Sequence, residues 1–249
     1  MIENWFADPA EFHSNGGSHL VVLGGTVALI ACMCLIARGK PPVLGIGSRL
    51  ELGQSWVLAV ILFLSWPLKL WTLQVTGGNP VLPMHLCNWA AIAGAVALIF
   101  RRPLAAELVY FWGLAGTLQG LLTPDLSSDF PDPRFFLFFA LHSGVVIAAV
   151  YVVVGLRLFP RPNAVWRMFG WTQVYVAVAF AANLAVGRVD SIDGNYAFLM
   201  HKPVHADNPL LNALGPYPWY ILGLEAVSLA FFFVLNLPFW ILRRRTARK

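Results

Sequence analysis

The chain predicts an all-α fold, a polytopic membrane bundle of seven transmembrane helices in one domain spanning 1–249. Three observations carry this. Hydrophobic residues make up 58% of the 249 and charged residues 12%, against about 25% charge in an ordinary soluble domain. Apolar residues gather into seven runs of about 17 to 25 residues, lengths that suit a hydrocarbon core about 30 Å thick. Proline, glycine and charge fill the gaps between the runs. The net charge of +5 sits in short blocks between runs, so it forms no continuous basic face of the kind that holds nucleic acid.

The runs are 18–37, 53–75, 84–100, 104–123, 133–157, 165–187 and 217–241. The acidic opening MIENWFADPAEFH lacks the basic start of a cleaved signal peptide, so the first run is expected to remain as a helix. It holds Cys32 and Cys34, two positions apart and on different helix faces, read as inert small residues. Lys40-Pro41-Pro42 ends that run, and Gly77-Gly78-Asn79-Pro80 ends the second. The third opens after Pro83, and Arg101-Arg102-Pro103 parts it from the fourth, which Thr123-Pro124-Asp125 stops. Asp132-Pro133 starts the fifth with an N-cap and a first-turn proline. Pro216-Tyr217-Pro218 precedes the seventh.

Basic residues set the orientation. One set of loops and the tail carry Arg38, Lys40, Arg49, Arg101, Arg102, Arg157, Arg161, Arg167, Arg243, Arg244, Arg245, Arg248 and Lys249. The opposite loops hold Arg134, Arg188 and Lys202 with most of the aspartates. The C-terminus is therefore expected in the cytoplasm and the N-terminus outside. The longest loop, about 188–216, lies outside.

Polar side chains within spans are expensive and mark cavities or partners. At about 1.5 Å per residue, each span contributes one to the outer half: His19, Lys69, the group His85, Cys87 and Asn88, then Gln119, His142, Asn183 and Glu225. The inner half holds Gln54, Glu107 and Gln173. This sorting by leaflet points to an outward-opening polar pocket rather than to scattered interhelical hydrogen bonds. Trp89, Trp112, Trp219 and Tyr220 are read as an aromatic belt.

Within the pocket, a cysteine beside histidines is a nucleophile with a base. His85 is two positions from Cys87, about 200° around a helix, so His142 or His19 is the better partner. Cys87 is expected about one turn deep and His142 more than two, a mismatch that an irregular start after Pro83 would remove. Two other readings compete. His19, His85 and His142 could ligate a catalytic zinc in a seven-span lipid hydrolase, although the last span has no histidine. A non-enzymatic seven-span binding or carrier protein would leave Cys87 inert. No GxxxxGK[ST] loop occurs, so no nucleotide is expected.

Five stretches together carry a more specific signal: 83-PMHLCNW-89, 111-FWGLAGTLQGLLTPDL-126, 130-FPDPRFFLFFALHSG-144, 194-GNYAFLMHKP-203 and 214-LGPYPWYILGLE-225. Through them the chain resembles, over about 12–240, the YwaF-like bacterial membrane proteins and the eukaryotic transmembrane protein 164 family. The resemblance implies an integral protein of a bacterial cytoplasmic membrane that moves an acyl chain from a phospholipid to a lysophospholipid. It implies Cys87 as nucleophile and His142 as its histidine. It carries no metal, cofactor, nucleotide or nucleic-acid partner. On that reading Gln119, Asn88 or backbone N–H groups after Pro83 are candidates to hold the oxyanion. Lys69, Arg134 or Lys202 are candidates to receive a phosphate.

Overall fold

The computed structural model describes residues 11–39, 46–75, 81–187, 194–202 and 209–246. The turns at Lys40-Pro41-Pro42 and Gly77–Pro80, the residues Arg188, Asp190, Asp193, Asp207, Arg248 and Lys249, and Pro203 lie outside these. Among the described residues the chain is helical, with one isolated backbone bridge between Glu11 and Ser128. The longer helices are α1 (Gly17–Arg38), α2 (Ile46–Val75), α3 (Leu86–Phe100), α4 (Pro103–Trp112), α6 (Pro133–Val150), α7 (Ala164–Val186) and α9 (Trp219–Thr246). Short helices α5 (Leu118–Leu122) and α8 (Pro209–Ala213) complete the order, and Tyr196–Phe198 forms a single 3-10 turn. Wide π turns follow α4 at Gly113–Thr117 and α6 at Tyr151–Gly155.

Every predicted run coincides with a helix, with three adjustments. The second helix starts seven residues earlier than expected, at Ile46. The third starts at Leu86, because residues 81–85 stay irregular. The seventh continues through Pro238 into its basic last turn. Five helical segments are long and apolar enough to cross a membrane: Gly17–Arg38, Arg49–Val75, Pro133–Gly155, Ala164–Val186 and Trp219–Thr246. Their outward faces are apolar, with Val21, Leu35, Phe63 and Val234 each more than 60% exposed, as suits a hydrocarbon solvent.

The other two rods form the centre. α3 has 15 residues, about 22 Å at about 1.5 Å per residue, too short for a core about 30 Å thick. Its sequence LCNWAAIAGAVALIF is rich in alanine, and Ala90, Ala91, Ala93, Gly94, Ala95 and Ala97 are buried. Small side chains let α2, α4 and α6 close around it. A Cβ on Gly94 would lie 3.0 Å from Leu62 and 3.2 Å from Val109.

The two ends of the bundle are held differently. At one, the buried Glu107 carboxylate accepts from the Arg161 backbone N–H and from the guanidiniums of Arg161 and Arg167 at 2.8–3.1 Å. This ties α4 to the turn before α7 and to α7 itself. At the other, Asp132 caps α6 by accepting from the Arg134 N–H at 2.7 Å, and takes its guanidinium at 2.7 and 2.9 Å. Burial alone would raise the Asp132 carboxyl; the Arg134 hydrogen bonds and charge outweigh it and hold it below the usual carboxylate range.

Candidate active site

Cys87 occupies the second position of α3, two residues after the N-cap His85. The first-turn N–H groups of Asn88 and Trp89 bond the His85 carbonyl at 3.0 and 3.4 Å. Helix geometry leaves the donors of the first two positions, Leu86 and Cys87, without intrahelical acceptors, so an incoming oxygen finds N–H groups at this point. Cys87 is half-buried and Asn88 buried.

The start of α3 lies near mid-height of the bundle rather than at its rim. The Tyr175 hydroxyl donates to the Met84 carbonyl at 3.0 Å, and Tyr175 is eleven positions from the end of α7 at Val186, about 16 Å of helix rise. Trp89 packs edge-on against Tyr175 and Trp112. The irregular backbone of 81–85 is sealed by tyrosines: the Leu82 N–H donates to the Tyr196 hydroxyl at 2.8 Å. Tyr196 is fixed by Asn183, which accepts from its N–H at 2.8 Å and donates to its carbonyl at 3.0 Å. The His85 ring packs against the rings of Tyr196 and Phe198. The irregular start after Pro83 that the sequence called for is present in residues 81–85.

His142 lies half-buried at mid-length of the α6 segment. Its Nδ1 faces the Phe138 carbonyl at 2.7 Å. A carbonyl only accepts, so Nδ1 carries the proton and the neutral ring presents Nε2 as a lone-pair acceptor. The imidazole stacks on Phe138 at 4.0 Å between centroids and 19° between planes, which fixes its orientation.

One ridge links this ring to the start of α3. A Cβ on Gly116 would sit 2.6 Å from Leu86, the neighbour of Cys87. A Cβ on Gly120 would sit 3.0 Å from Cδ2 and 3.2 Å from Nε2 of His142. Gly116 and Gly120 are one turn apart, so their backbone is the floor on which both groups rest. Between them, Thr117 has a buried hydroxyl with no hydrogen-bond partner, whereas Thr26, Thr72, Thr123 and Thr172 each donate to the carbonyl four residues back. Thr117 belongs to the π turn, whose wider winding displaces that carbonyl. Gln119 is half-buried one position before Gly120. Lys69, exposed on α2, is the ammonium within electrostatic range of His85, Cys87 and His142. Among the described residues no hydrogen bond joins the Cys87 sulfur to an imidazole.

Several residues singled out in the sequence are engaged elsewhere. His19 is fully buried; its Nδ1 accepts from the Asn15 N–H and its Nε2–H donates to the Leu121 carbonyl, both at 2.9 Å. Both nitrogens are therefore occupied by backbone, and His19 fastens α1 to α5 without a free lone pair for a proton or metal. Asn183 holds Tyr196. Glu225 accepts from Gln173 at 2.6 Å between α9 and α7, so these two residues, assigned to opposite halves from sequence, share one level. Arg134 is engaged with Asp132. Among the described residues no three His, Cys, Asp or Glu side chains gather as a metal site. The aromatic belt is also corrected: Trp112 is buried with its indole N–H on Thr172 at 2.9 Å, and Tyr220 is buried with its hydroxyl on the Phe198 carbonyl. Trp219 alone of the four is strongly exposed.

Gly116, Gly120, Phe138, Tyr175 and Tyr196 were not nominated from sequence. The glycines had a signal, a small-xxx-small spacing at 116 and 120. The tyrosines had none, since their partners are backbone groups of distant segments.

Comparison with known proteins places the chain. No solved structure matches it. An uncharacterized protein of Treponema pallidum (strain Nichols) is 27% identical over 241 residues, covering 96% of this chain and 94% of that protein. The model of the TMEM164 family matches residues 15–236, a stretch that takes in α1 to most of α9 and every residue of the site, and the chain therefore belongs to the TMEM164 family.

Proposed function

We propose that the protein is an integral membrane acyltransferase that moves a fatty acyl group between a phospholipid and a lysophospholipid, with Cys87 as nucleophile and His142 as base. The observation that carries this reading is the Gly116–Gly120 ridge. It supports the first turn of α3 on one side, and on the other an imidazole whose tautomer leaves Nε2 ready to accept a proton.

In the first half-reaction the Cys87 thiol proton passes to His142 Nε2 and the sulfur attacks the ester carbonyl carbon. Free enzymes often hold nucleophile and base at loose distance and tighten them on substrate. The carbonyl oxygen gains negative charge opposite the first-turn N–H groups of α3, with the uncommitted Thr117 hydroxyl and the Gln119 amide as neighbouring donors. The carbon–oxygen bond breaks, and the departing lysolipid alkoxide takes the proton from Nε2. In the second half, a lysophospholipid hydroxyl gives its proton to Nε2 and attacks the thioester, restoring the thiol. Lys69 is the cation for the lipid phosphate. The same reading has the chain cross the bilayer seven times, the third crossing made by the short α3 together with the irregular residues before it, with the N-terminus outside and the basic C-terminal end inside.

The test uses purified full-length protein with a long-chain acyl-activity probe and labelled phospholipid. Labelling at Cys87, its loss in Cys87→Ala, and slow transfer in His142→Ala are expected. Full turnover by Cys87→Ala would refute the assignment. Unchanged lipid profiles with no labelling of the wild-type chain would favour a binding protein instead.

A further inference from the structure

At the basic end of the bundle, a cleft of about 200 Å³ lies between the start of α7 and the end of α9. Trp166, Phe233 and Trp240 form its apolar walls, and Asn163, Asn236 and Arg243 its polar ones. Trp166 and Phe233 meet edge-on at 5.7 Å and bridge the two helices. All three aromatic rings are exposed on the outward face, where the surrounding surface is apolar.

The polar wall is cationic, and among the described residues no carboxylate pairs with Arg243 or Arg244. Arg243 donates to the Pro160 carbonyl at 2.9 Å and approaches the Asn236 amide oxygen at 3.5 Å, both neutral. Arg244 stacks over the Trp240 ring at 3.6 Å. Arg243, Arg244 and Arg245 follow one another in the last turn of α9, Arg243 reaches the Pro160 carbonyl next to Arg161, and among the described residues Glu107 is the carboxylate paired with Arg161 and Arg167. The N–H groups of Val165 and Trp166, in the first turn of α7, have no intrahelical acceptor, and both residues line the cleft.

We infer that this cleft binds the phosphate of an anionic phospholipid from the bilayer leaflet around the basic end of the bundle. A phosphodiester would face Arg243, Arg244 and the first-turn N–H groups, and its acyl chains would run along Trp166, Phe233 and Trp240. Basic pockets between helices at this depth select anionic head groups, each arginine contributing about fivefold in affinity. The charge without a carboxylate argues for an anionic rather than zwitterionic lipid. The exposed rings beside it argue for a lipid rather than a soluble anion. This site is independent of acyl transfer at Cys87.

Native mass spectrometry of the full-length protein in detergent decides it, with phosphatidylglycerol, chain-matched phosphatidylcholine and inorganic phosphate as probes. Phosphatidylglycerol should bind at least tenfold more tightly than phosphatidylcholine, and millimolar inorganic phosphate should not displace it. Arg243→Gln and Arg244→Gln should each reduce that preference about fivefold, and Arg38→Gln, an equal charge loss at the end of α1, should leave it intact. Equal binding of the two lipids, equal effects of Arg243→Gln and Arg38→Gln, or displacement by inorganic phosphate would each overturn the inference.

Discussion

The Gly120→Ala substitution separates position from chemistry. A new methyl would stand 3.0 Å from Cδ2 and 3.2 Å from Nε2 of His142, where ordinary contact begins at 3.4 Å. The ring must withdraw by about 0.4 Å, sliding on Phe138 or losing the Phe138 carbonyl bond. If misplacement by about 1 Å costs roughly a hundredfold in rate, 0.4 Å costs about sixfold. Alanine gains roughly 0.5–1 kcal/mol over glycine inside a helix, so the fold should be held at least as well as before. Two measurements on the purified protein suffice: the apparent melting temperature, and the rate at which an acyl-activity probe labels Cys87. An unchanged or slightly raised melting temperature with labelling slowed about sixfold is expected. Gly24→Ala, inside α1 where a Cβ meets nothing within 4 Å, should leave labelling unchanged and raise the melting temperature slightly. Wild-type labelling in Gly120→Ala would refute the reasoning, since the ring would then tolerate displacement. A sharp drop in melting temperature would reassign Gly120 to packing alone.

Tyr175→Phe removes the donor to the buried Met84 carbonyl. It should lower stability by about 1–3 kcal/mol in a thermal scan and slow probe labelling further, since the start of α3 loses its tether. Glu107→Gln leaves Arg161 and Arg167 with one neutral acceptor between them. Both arginines are part-exposed and regain water, so a loss of about 2 kcal/mol is expected in chemical denaturation, with Cys87 labelling unchanged. Asp132 makes stability depend on acid. Its folded carboxyl titrates below the unfolded one, so its contribution is present above the ordinary carboxylate range and is lost as pH falls through the lowered value. Melting temperature should decline on that limb in the wild type and decline less in Asp132→Asn.

The helical architecture was readable because every long helix coincides with an apolar run whose flanks are proline, glycine or charge. Cys87 and His142 were readable as residue types whose polarity is costly where they sit. What holds the start of α3 irregular was not, because it depends on Tyr175 and Tyr196 reaching residues 81–85 across the bundle. Nor was the engagement of His19 readable: a histidine satisfied by two backbone groups carries the same letter as a free one. Depth counted along straight spans misassigned Gln173 and Glu225, since counting assumes equal lengths and no tilt. The π turn at Gly113–Thr117 leaves no periodicity signal, yet it frees the Thr117 hydroxyl.

The Glu107 clamp has a mechanical consequence. Charge-assisted bonds in a water-poor setting resist parting, and they gather at the pole where α4 and α7 meet the arginine-rich tail. The opposite pole has the Asp132–Arg134 pair, but both partners belong to the start of α6, so it ties no two helices together. The clamp therefore fixes α4 against α7 at that pole, whereas the start of α3 is joined to its neighbours by the neutral bonds of Tyr175 and Tyr196.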